Sequence, residues 1–231
     1  MRTRIIIIVV FFAVLAASIG IRLFADPAFT GFKSESFGEP VVTHLSGSPA
    51  GSENSNSGGV VQENYNWEEH PVFIVGDSLT QGARSVIDKA IGGGTIDGKV
   101  NRNMSEGLEI IKHWDETGAL ADDAIIIVCL AHNIADNTVR DAEKIVDMIR
   151  PGQSLIMMTG HGRSNMMPIN EYIRSLPRAY SYITVADWDL TVSQNPNLLA
   201  DDGIHIGKKQ GNELYAELIL RALEATKPLS E

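Results

Sequence analysis

A chain of 231 residues has room for one or two domains. Its formal net charge of −10 and pI near 5.0 exclude a nucleic-acid partner, which calls for a basic face. The same acidity gives no attraction to anionic polymers, so a substrate is neutral near its reacting group. The single cysteine, Cys129, lies in the apolar run 124–130. It forms no intrachain disulfide and reads as a buried core thiol rather than a nucleophile.

Residues 1–25 read as an export or anchoring segment. Arg2 and Arg4 precede an uncharged apolar run from Ile5 to Ile21, at the short end of what crosses a bilayer. Positive charge ahead of the run places the N-terminus in the cytoplasm and the remainder outside. An uncleaved single-pass anchor is the preferred reading. Its rival is a signal peptide cleaved near Ala16-Ala17-Ser18, which would leave a secreted protein. Cys129 is far from the run, which excludes a lipoprotein anchor.

Residues 26–70 read as a flexible Gly/Ser/Asn-rich linker. Gly47-Ser48-Pro49-Ala50-Gly51-Ser52 and Asn54-Ser55-Asn56-Ser57-Gly58-Gly59 bury too little apolar surface to offset chain entropy. A coil of that length spans roughly 35–40 Å. Tyr65, Trp67 and His70 near its end are expected to pack on the domain that follows, residues 71–227.

That domain alternates strands and helices. Val72–Val75, Ile125–Leu130, Ser154–Thr159 and Ile183–Ala186 read as strands, with a weaker one over Thr95–Val100. The strongest are continuous apolar runs, as in strands buried on both faces of a parallel sheet. Helical spacing covers Thr80–Ile91, Ser105–Thr117, Thr138–Ile149, Asn170–Leu176 and Lys208–Glu224. Thr138-Val139-Arg140-Asp141 reads as a capping box with Asp in place of Glu. Pro151-Gly152 closes that helix. The alternation predicts a three-layer α/β/α sandwich around a mostly parallel sheet. No internal repeat is present.

Two short stretches carry chemistry. Gly76-Asp77-Ser78 breaks the first strand sharply and opens a helix, so Ser78 stands at a strand-to-helix turn beside the N–H donors of a helix N-terminus. Taken alone, the tripeptide reads better as a turn with Ser78 as an ordinary N-cap. Near the other end, Asp202-Gly203-Ile204-His205 places an aspartate three residues before a histidine. A serine hydroxyl needs a base to take its proton, and the base needs a carboxylate to fix its tautomer. Asp202 and His205 can meet across one turn, with Nε2 left for Ser78.

Gly76-Asp77-Ser78-Leu79 and Asp202-Gly203-Ile204-His205 resemble the first and last blocks of the SGNH (GDSL-type) hydrolases. The closer likeness is to the extracytoplasmic SGNH domains of bacterial cell-envelope O-acetyltransferases. There the second block resembles Ile96 to Asn103 with Glu106-Gly107-Leu108, and the third resembles Leu130-Ala131-His132-Asn133. Ala186-Asp187-Trp188 looks like a late block of theirs. The resemblance covers about Pro71 to Leu223 and implies the flavodoxin-like SGNH fold. It implies Ser78 as nucleophile, His205 as base and Asp202 as its orienter. It also implies an oxyanion hole from the N–H groups of Ser78 and Asn101 and the side-chain amide of Asn133. Two positions depart from the family: Ala131 stands where glycine is usual, and Asn101 where glycine or serine is usual.

In open α/β sheets the site forms outside the carboxyl ends of the strands. Ser78, Asn101 and Asn133 follow the first three strands in turn, and Asp202 and His205 follow the last. Thr159-Gly160-His161-Gly162-Arg163 follows the fourth. His161 and Arg163 are candidate substrate contacts, although Gly160-His161-Gly162 reads more readily as a flexible turn. His132 either lines the pocket or fills a loop. His132, His161 and His205 lack ligand spacing and a supporting glutamate, so no metal is expected, nor any other cofactor. Trp188 reads as packing rather than a sugar platform.

The resulting expectation is an extracytoplasmic serine esterase or O-acyltransferase acting through an acyl-serine on O-acyl groups, above all O-acetyl, of envelope carbohydrate. Envelope acetyltransferases usually fuse such a domain to a multi-pass acyltransferase. Transfer here therefore calls for a separate membrane protein that delivers the acyl donor. The alternative is a catalytically impaired SGNH domain serving as a membrane-anchored glycan-binding or interaction module.

Overall fold

The computed structural model describes residues 40–43 and 65–230. The expected anchor over 1–25 and most of the expected linker lie outside them. Among the described residues no helix is long and apolar enough to cross a membrane.

The elements in chain order are β1 (Val42–Thr43), β2 (Val72–Gly76), α1 (Ser78–Ile91), β3 (Thr95–Gly98), α2 (Met104–Glu116), β4 (Ile125–Cys129) and α3 (Thr138–Asp147). Then come β5 (Ser154–Met158), α4 (Met167–Ala179), β6 (Ile183–Ala186), α5 (Trp188–Ser193) and α6 (Lys209–Ala225). The six strands form one sheet in the order β1-β6-β5-β4-β2-β3. All neighbours run parallel except β1, which pairs antiparallel with β6.

Side-chain alternation sorts the apolar runs onto two cores. From β2 and β4, Phe73, Val75, Ile126 and Val128 face one core with Met104, Leu108 and Ile111 of α2, Ile145 of α3 and Ile173 of α4. Val72, Ile74, Ile125, Ile127 and Cys129 face the other with Leu79, Ala83 and Ile87 of α1, and Tyr215, Leu218 and Ile219 of α6. Helices on both faces make the expected three layers. Because α1 lies on one face and α2 and α3 on the other, the adjacent strands β2 and β4 bound the point where the winding reverses. In open sheets of this kind ligands bind at that point, above the carboxyl ends of the strands.

Cys129 is wholly buried in the second core, and burial pushes its thiol up to about 12. It is expected to be inert to a thiol reagent at pH 8 in the native protein and to react fully in denaturant. Rapid native labelling would mean that this core opens.

The structure departs from the sequence reading in several places. Val42–Thr43 falls inside the expected linker yet forms the antiparallel edge strand, with Val42 opposite Ala186. The Val41 N–H donates to Thr191 Oγ1 at 2.9 Å. The end of the linker behaves as expected: Tyr65 and Trp67 pack on the second core, and His70 Nδ1 lies 3.1 Å from the Asp123 carbonyl oxygen. The capping box expected at Thr138 is absent. Asn137 occupies the N-cap without a side-chain capping bond, and the Thr138 hydroxyl turns back to the Ala135 carbonyl at 2.8 Å. Asp141 is taken by Ser105, Asn137 and Lys144. The capping box is instead at α2, between Asn103 and Glu106.

Candidate active site

Gly76 ends β2 directly under the first turn of α1. A Cβ on it would lie 2.0 Å from Thr80 Oγ1, so only glycine lets the helix start this close to the strand. Asp77 is the N-cap, its Oδ1 accepting the Leu79 N–H at 2.9 Å. Ser78 is therefore the first residue of α1 rather than its cap. Its hydroxyl is free of capping duty, and its N–H has no intrahelical partner.

Opposite Ser78, residues 199–206 fold into a tight turn closed by the antiparallel bridge between Leu199 and Ile206. The Ala200 N–H donates to the His205 carbonyl at 2.7 Å. Inside the turn, Asp202 Oδ1 accepts the N–H groups of Ile204 and His205, each at 2.9 Å. Its Oδ2 lies 2.6 Å from His205 Nδ1. The bond to His205 and the two N–H donations hold the Asp202 carboxyl well below the usual carboxylate range. A carboxylate only accepts, so Nδ1 carries the proton and Nε2 is left with its lone pair. Ser78 Oγ sits 3.1 Å from that Nε2, within reach for proton transfer. The His205 and Asp202 side chains are 53% and 48% exposed, so the triad opens on the surface rather than at the bottom of a tunnel.

The block after β3 is held from beneath by Arg102, which the sequence reading passed over. Its buried guanidinium donates to the Gly76 carbonyl at 3.1 Å, to Asp97 Oδ1 at 2.7 Å and to the Asp97 carbonyl. Asn101 has φ 61, the one non-glycine residue in the left-handed region among the described residues. Asparagine is among the few residue types that accept this conformation. Asn101 thus occupies a conformation that glycine also adopts at no steric cost. Ala131 is buried and has no positive φ, so its methyl group meets no such demand. Asn133 Nδ2 donates one hydrogen to the Arg102 carbonyl at 3.0 Å, which ties the third block to the second and leaves the other amide hydrogen uncommitted by that bond.

His132, read from sequence as either lining the pocket or filling a loop, is buried between the first and fourth loops. Its side chain is 5% exposed, with Nδ1 3.0 Å from Asp77 Oδ2 and Nε2 accepting the His161 N–H at 3.2 Å. The fourth loop is not the flexible turn that its glycines suggest. Gly160 is held on both sides by Asn170, which accepts its N–H at 2.9 Å and donates to its carbonyl at 2.7 Å. His161 Nδ1 lies 2.8 Å from Asp189 Oδ1. Arg174 braces Asp189 at 2.8 Å and grips Asp187 through Nε at 2.7 Å and a second nitrogen at 2.9 Å. Arg163 is exposed on the same loop. Trp188 is fully buried, edge-on to Tyr215 at 5.0 Å between ring centres, as the packing reading requires.

No family model matches the chain. Among proteins of similar sequence is YrhL of Bacillus subtilis strain 168, described as a peptidoglycan O-acetyltransferase. It is 26% identical over 154 residues, which cover 67% of this chain and 24% of YrhL. The O-acetyltransferase OatA of Staphylococcus aureus strain NCTC 8325 is 24% identical over 152 residues, 66% of this chain and 25% of OatA. The chain thus aligns with about a quarter of the length of these relatives. Among solved structures, the C-terminal catalytic domain of Streptococcus pneumoniae OatA superposes with a TM-score of 0.64 at 23% identity. The match covers 70% of this chain and 98% of that domain. A lipolytic G-D-S-L family protein of Veillonella parvula gives a TM-score of 0.56 at 16% identity, covering 66% and 97%. The chain shares the SGNH fold with these domains.

Proposed function

We propose that the chain is a serine acyltransferase or esterase of the SGNH type, exported from the cytoplasm and acting on O-acetyl groups of cell-wall carbohydrate. The carrying observation is Ser78 Oγ 3.1 Å from the Nε2 of a carboxylate-oriented imidazole. The relatives described as peptidoglycan O-acetyltransferases supply the substrate class. The open triad suits a polymer lying across the rim. The left-handed backbone at Asn101, which glycine would also adopt, speaks against the impaired-domain alternative.

The steps follow from the groups present. Nε2 of His205 accepts the Ser78 hydroxyl proton as Oγ bonds to the ester carbonyl carbon. The carbonyl oxygen becomes an oxyanion and is met by the Ser78 N–H, the Asn101 N–H and the free amide hydrogen of Asn133. One such donor contributes about 2.7–4 kcal/mol to the transition state. The carbon–oxygen bond to the leaving alcohol breaks, and that alcohol takes the proton from Nε2. An acetyl-Ser78 remains. A water or a sugar hydroxyl then gives its proton to Nε2 and attacks the acyl carbon, releasing acetate or the O-acetylated sugar and restoring Ser78. His161 and Arg163, on the loop after β5, are the contacts proposed for the acceptor. Anchoring by residues 1–25, with delivery of the donor by a separate membrane protein, belongs to the same proposal.

The full chain is the right material, since Val42–Thr43 belongs to the sheet. Purified in detergent and given p-nitrophenyl acetate, it is expected to release p-nitrophenol and to lose that activity when a sulfonyl fluoride labels Ser78. With a chitooligosaccharide added, O-acetylated sugar appearing by mass spectrometry would establish transfer, and acetate alone would establish hydrolysis. A folded wild type that neither turns over ester nor takes the label would end the enzymatic reading.

A further inference from the structure

The nucleophile and the base belong to segments 127 residues apart, and a hydrogen bond between two exposed groups does not hold two loops in register by itself. The structure contains a second connection between them, made of groups that the chemical steps leave unused. It begins under the nucleophile, where the buried Asp77 carboxylate caps α1 through Oδ1 and meets His132 Nδ1 through Oδ2 at 3.0 Å. His132 then accepts the backbone N–H of His161 at 3.2 Å. An acceptor at Nε2 puts the ring proton on Nδ1, so His132 is a neutral imidazole donating to Asp77 and receiving from the fourth loop.

That loop reaches the other half of the triad one residue later. Gly162 has φ 113, and a Cβ on it would lie 2.7 Å from both the Gly203 carbonyl oxygen and Ile204 Cγ1. Both atoms are inside the turn that presents Asp202 and His205. Asn170 on Gly160 and Asp189 on His161 fix the loop from behind, so a displacement at one end is carried to the other.

We infer that His132, together with the loop 160–162, is the positioning device that sets the distance from Ser78 to His205. His132 acts through Asp77 and the loop and touches neither the ester nor the reacting atoms. This rests on the serine-esterase reading for its kinetic consequence, though not for its geometry.

His132→Asn separates the roles. Its amide Nδ2 replaces Nδ1 as a donor to Asp77, so the buried carboxylate keeps its partner, while the acceptor for the His161 N–H is lost. Gly162→Ala disturbs the far end with His132 intact. For each variant of the full chain, kcat and KM on p-nitrophenyl acetate are measured with Tm. The 15N shift of His205 Nε2 is compared with that in Ser78→Ala, where its bond to the hydroxyl is gone. The expected result is a fall in kcat of about 100-fold, the scale of an ångström of misplacement. KM should be unchanged, and the His205 shift should move toward the Ser78→Ala value. For His132→Asn, Tm should fall by no more than about 2–4 °C. Wild-type kcat in the folded variants, or a loss of kcat that tracks loss of folded protein with the His205 shift unmoved, would overturn the inference. Should the wild type itself prove inactive, the function reading fails, and the His205 shift still decides this one.

Discussion

Alanine at Ser78 is expected to lower ester turnover by roughly 10⁴- to 10⁶-fold, to the level that binding and oxyanion donors alone supply. It should leave the fold as it is. The hydroxyl bonds to a largely exposed imidazole, while the capping of α1 rests on Asp77. Removing an oxygen at a half-buried first-turn position that carries no capping bond shifts stability by about 0.5 kcal/mol or less. Activity and Tm therefore part company in this variant. A second expectation sharpens the case. Nucleophile and base act as one unit, so adding His205→Ala to Ser78→Ala should cost nothing further, since groups of one catalytic unit are grossly non-additive. Steady-state rates for the two singles and the double decide it. Retention of a tenth or more of wild-type turnover by Ser78→Ala, or additive losses in the double, would require a different nucleophile.

How much of this was legible before any coordinates depended on range along the chain. Asp202 and His205 meet within one turn, so their spacing allowed the pair, and the Gly-Asp-Ser block at the other end of the domain gave it weight. Ser78 was visible because a continuous β-branched run ending in Gly-Asp-Ser fixes where a core strand stops. The parallel sheet was legible for the same reason: Ile125 to Cys129 shows no alternation because both of its faces are buried. What escaped was settled between segments. His132 is next to Asn133 in sequence, but its partners are Asp77 and the His161 backbone, and no spacing rule announces a contact between loops of neighbouring strands. Val42–Thr43 is too short to carry a period. It is a strand only because the edge of β6 would otherwise offer unpaired backbone groups. Trp188–Ser193 likewise spans too little chain for helical spacing to register. The cap expected at Thr138 failed because Asp141 had other partners: Asn137 and Lys144 from its own segment, and Ser105 through the packing of α2 against α3.

Asp202→Asn tests the orienting carboxylate, and its consequence follows from where each proton sits. An asparagine oxygen can still accept the N–H groups of Ile204 and His205, so the turn is expected to keep its shape. The other position becomes an NH₂ facing His205 Nδ1. A donor there makes Nδ1 the acceptor and moves the ring proton to Nε2. That nitrogen then has no lone pair for the Ser78 proton, and turnover should fall by about 10⁴-fold, the cost of the wrong tautomer. Stability should respond differently, with a sign that can be worked out. The carboxyl lies below its usual range in the folded protein, so its ionised form favours folding. That contribution is in place above the unfolded value of about 3.9 and fades as the pH falls through the lower folded value. A wild-type advantage in Tm over the variant should thus appear at pH 5–7 and shrink below about pH 4. It should be small throughout and smaller in high salt, because both partners are exposed. Thermal melts of the two proteins at several pH values, beside kcat at pH 7, make the comparison. A variant that loses turnover only in proportion to its loss of folded protein would show that Asp202 holds the turn together and does not govern the proton on His205.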